Sequence, residues 1–168
     1  MSFTRTSPIQ SAQPAGQDCE AKAMRSQNYG QHAVLVFESG EPVMATLKRW
    51  LSDYTISGAA FTAIGGLRQV TLKYFNTTTR VYEEREINEQ LEVLHLTGNA
   101  GLLNGEPFVH AHITVGTSAY QTYGGHFGDG IVSPVLELAL TRVGGVLTRR
   151  ENAESGLTEL YPEPPRYV

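Results

Sequence analysis

His110, His112 and His126 fall within seventeen residues of one another and are three of the five histidines in a chain of 168 residues. Neutral imidazole is the commonest biological ligand for zinc and similar metals. His110 and His112 lie in Val109-His110-Ala111-His112-Ile113-Thr114-Val115, where aliphatic and polar residues alternate. That is the period of a half-buried strand, and it puts both imidazoles on one face, one pleat apart. His126 follows Tyr123-Gly124-Gly125. A glycine pair accepts a tight turn, so Gly124 and Gly125 are expected in a loop that delivers His126 to the other two. The three nitrogens would then cap a metal and leave coordination positions open. The competing reading is a polar, solvated strand face beside an ordinary glycine turn, since the spacing lacks the specificity of paired Cys-x-x-Cys motifs.

Two carboxylates follow within eleven residues of the third histidine, Asp129 and Glu137. A ligating imidazole needs a partner for its second N–H, and a carboxylate serves that need. Glu137, set between Val135 and Ala139, is the candidate for orienting one imidazole, or for acting as a base if chemistry occurs. Asp129 could fill the same outer role or sit at a solvated rim. His95 shares a strand pattern with Leu91 and Val93 and reads as a packing residue rather than a fourth ligand.

These residues need a scaffold, and the pattern supplies one. Residues 32–38 form an apolar run of strand length. Ser39-Gly40-Glu41-Pro42 reads as a helix start, with Pro42 preset for the first turn and Glu41 near the positive end. Val43, Met44, Leu47, Trp50, Leu51 and Tyr54 follow at helical spacing, and Trp50 reads as a core anchor. Residues 59–66 are a small-residue strand ending in a Gly65-Gly66 turn, and 70–75 and 80–85 are strands about a turn at 76–79. Asn104-Gly105 is the strongest hairpin signal, joining 100–103 to the histidine strand. Residues 131–140 form a strand with Leu136, Leu138 and Leu140 on one face, and 141–149 a last strand broken at Gly144-Gly145. The expected fold is α+β: a single domain with a mainly antiparallel sheet and one principal helix packed on it. Residues 1–28 read as an N-terminal arm, 29–150 as the domain, and 151–168 as a polar tail.

Several of these stretches resemble the plants-and-prokaryotes-conserved (PPC) domain family. They are Leu96-Thr97-Gly98-Asn99, Asn104-Gly105-Glu106-Pro107-Phe108, Val109-His110-Ala111-His112, Tyr123-Gly124-Gly125-His126 and residues 132–138. The likeness runs back to Ser57-Gly58-Ala59-Ala60 and Ile64-Gly65-Gly66, and so covers about residues 30 to 147. It implies a mainly antiparallel α+β domain, assembly as a homotrimer, a zinc site at the three histidines, and a candidate DNA-binding role. The Arg-Gly-Arg-Pro core of an AT-hook, through which plant members read DNA, does not occur.

Composition bounds the function further. Hydrophobic residues make up 40% of the chain, a globular proportion. The formal net charge of −4 argues against a broad phosphate-binding surface. Cys19 is the sole cysteine, so an internal disulfide is excluded, which suits a reducing compartment. The first residues lack the apolar core of a signal peptide, and no apolar run is long enough for a membrane span; the expected location is cytoplasmic. Three classes remain open: a DNA-associated or transcription-related module, a zinc-dependent hydrolase, and a small-molecule sensor.

Overall fold

The computed structural model describes residues 23–162. Nine strands and one helix follow in the order β1 (Arg25–Tyr29), β2 (His32–Glu38), α1 (Val43–Asp53), β3 (Ala59–Asn76), β4 (Val81–Ile87), β5 (Leu91–Leu103), β6 (Glu106–Gly116), β7 (Thr122–Arg142), β8 (Leu147–Asn152) and β9 (Leu157–Pro162). All belong to one sheet with the path β1-β2-β7-β3-β5-β8-β9; β4 pairs with β3, and β6 pairs with both β5 and β7. Every pairing is antiparallel except β5 with β8. The pairings β3–β5, β5–β6, β6–β7 and β7–β3 form a closed circuit, so the histidine strand β6 has a hydrogen-bonded neighbour on both sides.

Alternation explains the core. Val109, Ala111, Ile113 and Val115 of β6 are all buried, as are Leu136, Leu138 and Leu140 of β7 and Leu35 and Phe37 of β2. Helix α1 buries Val43, Leu47, Trp50 and Leu51, a stripe at i, i+4, i+7 and i+8, against β6 and β7. Trp50 is an anchor, as its spacing predicts: its indole N–H donates to Ser26 Oγ at 2.9 Å, tying β1 to the helix. Asn104 and Gly105 both have positive φ, at 52° and 87°, and close the β5–β6 hairpin in the conformation that this dipeptide favours. No helix among the described residues is long and apolar enough to cross a membrane.

Four details depart from the sequence reading. Gly65-Gly66 is not a turn: β3 continues through it for 18 residues, with register shifts on either side of Gly65. Here the glycines serve close approach of β7, since a Cβ on Gly65 would lie 2.3 Å from the Val135 carbonyl oxygen, and one on Gly66 2.2 Å from that of Ser133. His95 does not share the inward face of Leu91 and Val93; a register shift between Val93 and His95 breaks the alternation and leaves it exposed. The arm and tail boundaries also move. Residues 25–28, read as arm, lie in β1, and residues 157–162, read as tail, form β9, which pairs with β8 from Leu147↔Pro162 to Asn152↔Leu157. Residues 1–22 of the expected arm and 163–168 of the tail lie outside the described residues.

Candidate metal centre

Strand register builds the histidine cluster. On β6 the two imidazoles face away from the aliphatic core, His112 opposite Thr97 of β5 and His110 opposite Asn99. On its other side β6 pairs with the start of β7, and there His112 lies directly across from His126. Directly opposed residues of an antiparallel pair project to the same face. His126 therefore comes from a strand, not from a loop, and Gly124 and Gly125 are strand residues paired with Thr114 and Ile113. Each has a carbonyl oxygen 3.0 Å from where a Cβ would stand, that of Ile113 for Gly124 and that of Lys73 for Gly125. Their small size lets three strands come close at this point.

The three rings form a nearly equilateral triangle. Their centroids are 5.3 Å apart for His110 and His112, 5.1 Å for His110 and His126, and 5.3 Å for His112 and His126. One ligand nitrogen from each lies within 4.8 Å of the others. His110 and His126 are half-buried and His112 is exposed. The Tyr82 ring packs on His126 at 5.1 Å.

Electrostatics favour the neutral form, the one that ligates. Partial burial, then His110 and His112, then Lys73 and Arg149, lower the pKa of His126 to about 4. Burial is again the first cause for His110, whose pKa is also lowered, with Arg149 and His112 adding to it. The neighbouring imidazoles thus add to the penalty for a proton on His110 or His126.

Beside the cluster lies a cavity of about 440 Å³, lined by His110 and His126 together with Phe108, Tyr82, Asn99, Arg149 and residues 156–160. Arg149 is only 4% exposed. Its Nη1 donates to the Thr158 carbonyl at 2.9 Å, its Nη2 to Asn99 Oδ1 at 2.7 Å, and its guanidinium lies 5.1 Å from the Phe108 ring centre. Sequence reasoning missed this wall. Its signals were the positive-φ Gly156 between two short alternating runs, and an arginine set among them.

Neither carboxylate singled out from sequence stands beside the imidazoles. Glu137 pairs with Val36 and Ile64, eleven residues beyond His126 on the same strand. At about 3.3 Å per residue that is roughly 35 Å of strand. It lines a shallow recess with Val34 and Thr62 and is neither orienting group nor base for the cluster. Asp129 turns toward the helix, where its Oδ1 accepts the Met44 N–H at 3.0 Å and its own neighbour Gly130 N–H at 2.8 Å. It thus serves the N-terminus of α1, a role the sequence reading gave to Glu41. Glu41 instead accepts the N–H groups of Met24 and Glu38, at 3.0 and 2.8 Å, and Pro42 is the N-cap.

Comparison with known proteins fixes the family. The model of the Plants and Prokaryotes Conserved domain, abbreviated PCC or PPC, matches residues 24–144. The chain belongs to the PPC domain family. Among solved structures, a candidate DNA-binding protein from Bacteroides thetaiotaomicron superposes with a TM-score of 0.80 at 25% identity, covering 83% of this chain and 98% of that one. A metal-containing protein from Archaeoglobus fulgidus gives 0.74 at 25% identity, with 84% and 99% covered. A PPC protein from Pyrococcus horikoshii gives 0.73 at 26% identity, with 84% and 96% covered. A search of curated proteins returns no significant match. The matched family segment ends before β8 and β9, so the Arg149 wall lies outside it.

Proposed function

We propose that this PPC domain is a metal-binding protein in which His110, His112 and His126 hold one divalent ion, zinc, with the remaining coordination directed to the adjoining cavity. The triangle of imidazoles carries the reading. A tetrahedral ion about 2.0–2.1 Å from each nitrogen would hold three imidazole centres ~5.2 Å apart; the observed spacings are 5.1 to 5.3 Å. An all-nitrogen donor set suits zinc and disfavours magnesium or calcium, which take oxygen ligands. The similarity to a metal-containing Archaeoglobus protein supports the same reading. Bound there, zinc would supply a Lewis-acidic position for a water or an anionic donor.

The residues around the ion define what the site can do. His110 and His126 present the ion to the cavity, Phe108 and Tyr82 line it with aromatic surface, and Arg149, held by Asn99 opposite His110, adds a fixed positive charge to the wall. This is the build of a small-molecule pocket rather than of a duplex-binding surface. A DNA-associated role, named for the similar Bacteroides protein, would then depend on surfaces other than this one. Exposed Val34, Ile64 and Leu94 on the sheet support self-association as a homotrimer. Metal analysis of protein purified without a histidine tag or added metal tests the central reading: about one zinc per chain is expected, and none would refute it.

A further inference from the structure

The wall that Arg149 contributes bears on what the cavity receives. A guanidinium remains charged at all accessible pH, and burying a charge without an opposite one is costly. Arg149 is 96% removed from solvent on its 4% exposure. Its two hydrogen bonds, to the Thr158 carbonyl and Asn99 Oδ1, go to neutral acceptors, and its Nε–H has no partner. None of the ion pairs among the described residues involves it. The one carboxylate on the cavity wall, Glu159, is engaged elsewhere: it accepts from Ser155 Oγ at 2.6 Å and Asn152 Nδ2 at 2.9 Å. The charge therefore stands at the cavity with its orientation fixed and no anion among the described residues to match it.

We propose that the cavity binds a small 2-hydroxycarboxylate, with its carboxylate paired to Arg149 and its neighbouring hydroxyl directed to the ion at His110, His112 and His126. The proposal rests on the metal reading above for that second contact and on Arg149 alone for the first. A planar guanidinium recognises a carboxylate through paired N–H donors, and the Asn99 and Thr158 contacts hold it in place for that role. Phosphate fits less well, because among the lining residues Arg149 is the one fixed cation, the Glu159 carboxylate is on the same wall, and no helix N-terminus points there. A volume of about 440 Å³ suits a metabolite of a few carbons.

The experiment is calorimetric titration of the full chain, its zinc content measured first, with lactate, its uncharged counterpart lactamide, and inorganic phosphate. Lactate is expected to bind, with lactamide and phosphate at least tenfold weaker. Arg149→Gln should weaken lactate at least tenfold at unchanged zinc content. Asn99→Ala, which frees the guanidinium without removing it, should weaken lactate less than Arg149→Gln does. Equal binding of lactate and lactamide, tighter binding of phosphate, or no binding of lactate at millimolar concentration would each overturn the proposal. The lactate–lactamide comparison needs no variant, so poor folding of Arg149→Gln would leave the test intact. Protein that arrives without zinc would instead refute the metal reading, an outcome seen before any ligand is added.

Discussion

Replacing Asp129 by alanine separates the capping of α1 from the orienting of an imidazole. In the structure one carboxylate oxygen accepts the Met44 N–H at 3.0 Å and the Gly130 N–H at 2.8 Å, both partly buried. Met44 is the second residue of α1, so its N–H is one of the four that a helix start cannot satisfy internally. Losing a capping acceptor costs about 1 kcal/mol, and the loss of a negative charge near the positive end of the helix adds about 0.5 kcal/mol. A second N–H left without its partner brings the total to about 2 kcal/mol. For a chain of this size that corresponds to a fall in Tm of roughly 4–8 °C. Asp129→Asn keeps an acceptor and gives up the charge, so it should recover more than half of the loss. The assay is thermal unfolding at fixed protein concentration, with zinc content measured on the same samples. Zinc content should not change, because Asp129 faces the helix rather than the imidazoles. A variant that unfolds at the wild-type temperature, or one that keeps its Tm but loses metal, would refute the capping assignment.

Metal-free protein should lose stability as pH falls from about 6.5 to about 4, the interval between the ordinary imidazole pKa and that of His126 in the folded chain. The folded state binds fewer protons than the unfolded chain over that interval, so acid favours unfolding; after allowance for partial exposure the loss is about 1 kcal/mol, read by denaturant titration at each pH. Duplex DNA should be retained only weakly at physiological salt, given the net charge of −4, and tight salt-resistant retention of a generic duplex in a filter assay would contradict this. Light scattering should give a trimer at micromolar concentration, and a monomer there would remove the self-association proposal.

What could be read from the sequence was whatever depends on local period. Val109 to Val115 alternates cleanly, so the facing of His110 and His112 follows from the residues alone, and Asn104-Gly105 announces its own hairpin. The positions of His126, Glu137 and Asp129 depend instead on where β7 begins and ends. Its 21 residues pass through Gly124, Gly125, Gly128 and Gly130, each of which reads locally as an interruption. Pairing on both sides overrides those signals, and Glu137 is thereby carried far from the cluster. Gly65 and Gly66 misled for a related reason. A glycine that admits a neighbouring carbonyl cannot be told by type from one that turns the chain. The Arg149 wall was hidden because β8 and β9 are short, polar and half-exposed, and their partners lie in β5 and in each other. Only the fold brings Arg149 within hydrogen-bonding distance of Asn99, fifty residues earlier.

Zinc content of tag-free wild-type protein against His112→Ala tests the central claim most directly. His112 is the exposed member of the triangle, and the opposite face of β6 carries the packing, so its removal should leave the fold intact by circular dichroism. About one zinc per wild-type chain, falling at least tenfold in the variant with Tm of the metal-free forms unchanged, is the predicted result. Wild-type protein without zinc, or a variant that keeps it in full, would return the three histidines to a polar strand face.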